Sequence, residues 1–312
     1  MFPSTQARHR ALRRAVILAA TLALVVSATA TGAAFNGWGP AVAEVDINSP
    51  AADGCPIESP NERELYIASM RPGGLGGNDI WVAHRNNDAA PWSEPENLGA
   101  PINSASNDYC PTPLNGNWLL FVSERPGPDT CNAGPGAGDI YLARYNPGHG
   151  WGTPVHLGCD ADGSGPNFPG GEFGPSLVQT SSGTFLFFSS SGYGTDMNIY
   201  MSRQRPDGSF APASPVDELN TGAADFMPNV SRDGLEIVFN SNRPGGFGGQ
   251  DVYTSSRAST ADAWSPPVNV GPNVNTAGNE TRSSLSGDGE RLHFGRDGEI
   301  YVSTRSKVTG PH

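Results

Sequence analysis

The feature that most constrains this chain is a segment that keeps returning along it. SMRPGGLGGNDIWVAHR, from Ser69 to Arg85, comes back as SERPGPDTCNAGPGAGDIYLAR from Ser123 and, nearly verbatim, as SNRPGGFGGQDVYTSSR from Ser241 to Arg257. Two degenerate forms, SSSGYGTDMNIYMSR from Ser189 and FGRDGEIYVSTR from Phe294, keep the polar-Ile-Tyr tail, which makes five copies. Self-similarity on this scale outranks local propensity, because each unit buries its apolar face only against its neighbours.

Before each copy lie two short runs joined at a tight turn, at Asn61-Glu62, Asn115-Gly116, Ser182-Gly183, Asp233-Gly234 and Asp288-Gly289, and most of these are hairpin pairs. Runs such as WLLFVS, TFLFFSS and LEIVFNS are β-branched or aromatic and apolar enough to lie between two sheets. After every copy but the last comes an outer segment: PWSEPENLGAPINS, WGTPVHLG, FAPASPVDELNT and WSPPVNVGPNVNT. Four antiparallel strands recurring at about 50 to 60 residues are the pattern of a propeller blade. The chain is therefore expected to be all-β, a five-bladed β-propeller with blades near 53–104, 108–158, 172–221, 225–276 and 280–306. The fifth blade lacks an outer strand. The N-terminal stretch from Trp38 to Ile47-Asn48-Ser49 matches the linkers ending Ile102-Asn103-Ser104, Leu219-Asn220-Thr221 and Val274-Asn275-Thr276, so residues near 38–47 should close the ring and leave no open edge.

Residues 1–34 read differently. Arg8, Arg10, Arg13 and Arg14 lead into AVILAATLALVV, too short to span a bilayer comfortably, and then into small residues with cleavage points after Ala30 or Ala34. This is a signal peptide, and 35–312 is expected to be one propeller domain, secreted or held in the cell envelope, monomeric, with no membrane insertion after cleavage. No lipobox cysteine follows. Without the four arginines the chain carries 15 basic against 31 acidic residues, a net charge of −16, which disfavours nucleic acid and anionic membranes. The 40 glycines and 28 prolines would read as disorder without a period, and with one they read as loops.

The S-x-D-G turns, the S-x-R-P-G-G-x-G-G-x-D-[IV]-[YW] segments and the W-x-x-P-x-N-[LV]-G-x-x-[IV]-N-[ST] linkers resemble the WD40-like repeats of TolB-type propellers over nearly the whole of 35–312. The resemblance implies the fold and an exported location, and it leaves function open, since such propellers host binding and enzymatic roles alike.

Aligning the repeats places one acid at the start of each innermost strand: Asp53, Asp108, Glu172, Asp225 and Glu280. Converging carboxylates need compensation, from a cation, a ligand or neighbouring arginines. Arg71, Arg125, Arg243 and Arg296 end the second strands, whereas the third blade has Ser191 there, which leaves Glu172 unmatched. The bland reading is a repeated ion pair at the blade junction. The functional reading is an acid-lined face that binds a protein, peptide or glycan. Asp53, Asp108 and Glu172 also match, in blade order, the base, orienting acid and general acid of five-bladed arabinanases and β-xylosidases, and EFGPSLVQTSSGTFLFFSS resembles that family's general-acid segment with one residue inserted. The resemblance implies an inverting glycosidase, whose two carboxyl groups stand about 6.5 to 9.5 Å apart.

The loop CDADGSGPNF places Asp160, Asp162 and Ser164 at positions one, three and five of a calcium-loop pattern, but the ligand expected at position twelve is displaced by one, to Glu172. Calcium is the one cofactor the sequence raises, with a plain glycine-rich turn as the alternative. Four cysteines in an exported chain imply two disulfides, and blade positions favour Cys55 with Cys110 and Cys131 with Cys159. No zinc-binding, nucleophile-elbow, P-loop or dinucleotide motif is present.

Overall fold

The computed structural model describes residues 35–127, 131 and 137–308. The expected signal peptide lies outside these residues. The chain forms five sheets of antiparallel strands and, among the described residues, no helix. Blade 1 comprises Asp53–Glu58, Glu64–Ser69, Asp79–His84 and Glu96–Asn97. Blade 2 comprises Asp108–Leu114, Trp118–Ser123, Asp139–Asn146 and Val155–His156, with Gly150–Trp151 folded back on its third strand. Blade 3 is built from Glu172–Thr180, Gly183–Ser190, Asn198–Arg203 and Ser214–Pro215, and blade 4 from Asp225–Val230, Glu236–Ser241, Asp251–Ser256 and Val268–Asn269. Blade 5 contributes Glu280–Leu285, Arg291–Arg296 and Glu299–Thr304, and its outer strand is N-terminal: Val42 pairs with Val302 and Ala43 with Tyr301. This is a five-bladed propeller closed by its N-terminal strand.

The second strands explain the packing. In Glu64–Ser69, Trp118–Ser123 and Glu236–Ser241 every residue after the first is buried, because both faces of each blade press on a neighbour. Leu119 and Phe121 of blade 2 meet Ile57, Tyr66, Ile80 and Val82 of blade 1, and Phe187 of blade 3 meets Phe239, Tyr253 and Trp264 of blade 4. One linker asparagine per blade ties the outer edge to the third strand. Asn48, Asn103, Asn167, Asn220 and Asn275 each accept the backbone N–H of Ile300, Ile80, Ile140, Ile199 and Val252 at 2.7–2.9 Å, and each amide donates back to the same residue's carbonyl. The glycines of the G-G-x-G-G loops are required by close approach. A Cβ on Gly76 would stand 2.0 Å from Ser106 O, and one on Gly248 would stand 2.3 Å from Gly278 O, so each loop lies directly on the next blade's linker.

The hub repeats as well. Every innermost strand carries a register shift two residues after its acid, and there Cys55, Cys110, Met227 and Arg282 take φ between 45° and 50°, with Gly174 at 58°. The bulge turns side chains toward the axis and the neighbouring strand. Thr112 Oγ1 donates to Pro175 O at 2.5 Å, Val230 N donates to Ser176 Oγ at 3.0 Å, Leu285 N donates to Asn229 Oδ1 at 2.9 Å and Ser284 Oγ donates to Pro56 O at 2.7 Å. These clasps join blades 2 to 3, 3 to 4, 4 to 5 and 5 to 1. The remaining junction, between blades 1 and 2, is covalent: the Cys55–Cys110 disulfide.

Candidate functional site

The five aligned acids each open an innermost strand, and all are buried, at 0–3% exposure. Four are each held by a linker Ser or Thr and an arginine. Asp53 accepts the backbone N–H and hydroxyl of Ser49 at 2.6 and 2.9 Å on one oxygen and Arg71 Nη2 at 2.7 Å on the other. Asp108 does the same with Ser104 and Arg125 and Asp225 with Thr221 and Arg243, whereas Glu280 accepts Thr276 N on Oε2 and both the Thr276 hydroxyl and Arg296 Nε on Oε1, the ion pairs spanning 2.6 to 2.9 Å. Each guanidinium also donates to a linker carbonyl and lies 4.4 to 5.3 Å from an aromatic ring of the third strand, Trp81, Tyr141, Tyr253 or Tyr301. These carboxylates face their own blade's latch. At the level of the bulges the axis is crossed by the Cys55–Cys110 disulfide and by Arg282, so the acids do not line an open channel.

Glu172 differs. Its Oε1 accepts Phe168 N at 2.9 Å and Ser190 Oγ at 3.1 Å, and its Oε2 is buried without a partner. Complete burial, with the nearby Asp139 charge, pushes this carboxyl well above the usual range. Strand pairing corrects the sequence alignment at this point. Ser190 stands opposite Glu172 as Ser69 stands opposite Asp53, so the arginine's place falls on Gly192 and not on Ser191. A Cβ on Gly192 would come within 2.6 Å of Tyr200 Oη. The ring of Phe168 fills the vacated space, 4.7 Å from Tyr200 and 6.2 Å from Phe188 between centroids. A phenyl group thus stands where other blades hold a guanidinium. Tyr109 Oη and Asp139 Oδ1 are further buried atoms without partners, and burial and surrounding carboxylates drive the Tyr109 hydroxyl upward.

The candidate calcium residues are occupied by the protein itself. Asp160 accepts Tyr193 Oη at 2.8 Å and Ala213 N at 3.0 Å, Asp162 accepts Ser164 N at 2.9 Å, and the Ser164 hydroxyl accepts Cys159 N at 2.9 Å. Hydrogen bonds from the Ser164 hydroxyl and backbone N–H lower the Asp162 carboxyl. Among the described residues, the one cluster with three metal-type ligand atoms in reach is Cys131, His156 and Cys159, and its two thiols are joined as the second disulfide.

On the axis, at the end of the ring where the innermost strands finish, lies a funnel of about 640 Å³. All five blades build it. Its walls are Ile57 of blade 1, Leu114 and Trp118 of blade 2, Leu177 and Val178 of blade 3, Val230 of blade 4 and Leu285 of blade 5, with Phe210 and Leu142 behind. Its floor includes Thr112, Ser176 and Asn229, the clasp residues of the hub. A larger hollow of about 1020 Å³ lies off the axis between blades 4 and 5, but its cations are engaged: Arg305 with Glu236 at 2.5 Å, Arg257 with Gly234 O at 2.7 Å and Arg232 with Pro60 O at 2.6 Å. Four of the acids legible in the repeat are therefore latch residues, Glu172 being the exception, and the axial funnel was not anticipated. Arg282 was the available signal, the single charged side chain at a register otherwise held by Cys55, Cys110, Gly174 and Met227.

No family model and no curated protein matches this chain. Solved structures do. A thermostable family-43 glycoside hydrolase shares 12% identity at a TM-score of 0.52, covering 85% of this chain and 92% of its own. An α-L-arabinofuranosidase from Lactobacillus brevis shares 14% at 0.50, over 86% and 95%. TolB from Acinetobacter baumannii shares 16% at 0.46, over 84% of this chain and 56% of its own. At these identities the hydrolases show the propeller fold alone, and the TolB likeness, below 0.5, carries no weight.

Proposed function

We propose that this protein is an extracytoplasmic ligand-binding propeller that receives an apolar peptide segment of a partner in its axial funnel. The observation that carries this reading is how the floor's polar groups are spent: Thr112, Ser176 and Asn229 already bond across the blade junctions, and the walls above them are largely aliphatic and aromatic, with Asn115, Gln179, Gln204 and Arg232 also in the lining. A saccharide, with hydroxyls around its whole edge, needs unspent partners, whereas apolar side chains need only walls to bury against. Two disulfides fit an oxidising compartment, and no helix among the described residues is long and apolar enough to cross a membrane.

One observation favours a glycosidase: burial raises the Glu172 carboxyl, the direction a general acid requires. Against it, Asp53 and Asp108 are committed to arginines and all three carboxyls are buried. The two readings separate in one experiment. A peptide library and a panel of arabinan and xylan oligosaccharides are offered to the purified protein, to Leu177→Arg and to Glu172→Gln. Peptide binding abolished by Leu177→Arg and kept by Glu172→Gln supports the funnel. Sugar release lost in Glu172→Gln refutes it in favour of hydrolysis.

A further inference from the structure

Arg282 is completely buried and has no carboxylate partner. Its Nη1 donates to Pro228 O at 3.2 Å and Gly174 O at 3.4 Å, its Nη2 donates to Thr112 Oγ1 at 3.0 Å and Pro175 O at 3.2 Å, and its Nε has no partner. Every one of these acceptors is neutral. The contrast with the latch arginines is chemical, since Arg71, Arg125, Arg243 and Arg296 each meet an acid. Nor does the hub need a cation, because Met227 occupies the equivalent position in blade 4. Burial lowers the group to about 9, which still leaves it charged at neutral pH. Thr112 connects this charge to the outside, since its hydroxyl accepts from Arg282 and its side chain belongs to the funnel floor. An uncompensated positive charge thus sits one side chain beneath the base of a largely apolar funnel, where solvent screens it poorly.

We propose that the funnel selects ligands with an apolar body and a terminal carboxylate, entering carboxylate first so that the anion sits above Thr112 and faces the Arg282 guanidinium. This rests on the reading of the funnel as the binding site and adds the chemistry of what it takes. Two sources supply such a group: the free C-terminus of a peptide with apolar final residues, and a fatty carboxylate. A single buried guanidinium beneath largely apolar walls fits a monoanion better than a phosphate.

The test uses a fluorescent hexapeptide of glycine and leucine with a free carboxyl terminus, the same peptide as its C-terminal amide, and dodecanoate as competitor, all titrated against the purified protein. The acid peptide is expected to bind at least about tenfold more tightly than the amide, a difference that high salt changes little. Arg282→Met is expected to remove that difference. If that variant does not fold, Leu177→Glu, in the funnel wall, serves in its place: it should weaken the acid peptide more than the amide. Displacement of the acid peptide by dodecanoate but not by dodecanol supports the same chemistry from a lipid source, and failure of dodecanoate to compete supports the peptide source. Acid and amide binding within about twofold overturns the carboxylate selection while leaving the funnel a site. Binding of neither peptide, with no effect of dodecanoate, overturns both.

Discussion

Replacing Glu172 by glutamine should make the protein less sensitive to rising pH. The carboxyl is fully buried, one of its oxygens has no partner, and the guanidinium that neutralises its counterparts is replaced by the ring of Phe168. Burial raises it well above its ordinary 4.5, so the folded chain keeps a proton that the unfolded chain releases. The folded state then binds more protons than the unfolded one, and stability falls with pH from about 4.5 up to the folded-state value, at close to 1.4 kcal/mol per pH unit. The glutamine cannot ionise and lacks this slope, although its amide leaves unmatched donors that cost about 1 to 3 kcal/mol at every pH. The informative quantity is therefore the change with pH and not the offset. Urea unfolding of both proteins from pH 4 to pH 7 measures it. A difference between them that stays flat across that range, or one in which the wild type gains on the variant as pH rises, refutes a protonated Glu172.

Removing one partner of a latch should be costly: Arg243→Met leaves Asp225 buried and unpaired and is expected to lose about 3 to 5 kcal/mol in urea unfolding, whereas Asp225→Asn combined with Arg243→Met should recover much of it. Cys55→Ser with Cys110→Ser removes a bridge across 55 residues and should cost about 4 kcal/mol, read as a lowered midpoint relative to a Cys131→Ser, Cys159→Ser protein whose bridge spans only 28. Gly192→Arg should not restore the missing latch, because its Cβ would meet Tyr200 Oη at 2.6 Å and its φ is +57°; a fall of about 1 to 3 kcal/mol is expected, and a rise in thermal midpoint would contradict it.

Most of the architecture was legible because the repeat fixed it: a blade is visible when the same turn, tail and linker return, and the missing outer strand of the last blade is visible in the resemblance of Ile47-Asn48-Ser49 to its counterparts. The position of each acid was legible for the same reason. Their environment was not, since burial comes from the neighbouring blade. Blade 3 hid its own design. The serine run Ser189-Ser190-Ser191 allows a one-residue slip, and only the pairing of Glu172 with Ser190 places Gly192 in the arginine's position. Asn167, five residues before Glu172, keeps the interval seen from Asn103 to Asp108 and would have revealed that the blade retains its linker clamp despite the inserted CDADGSGP. The funnel was invisible because its walls are ordinary strand residues whose convergence exists only once five blades meet.

The closure of blade 5 has a mechanical consequence. Asn36 N bonds to Ser306 O and Gly39 N to Thr304 O, so the two ends of the described chain run side by side in one blade. Tension applied between those ends peels the short strand Val42–Ala43 from Glu299–Thr304 first. The four clasps, the disulfide and the Arg282 spoke carry no load until that strand has gone. A protein tethered at either end would therefore yield at its rim while its central funnel kept its shape.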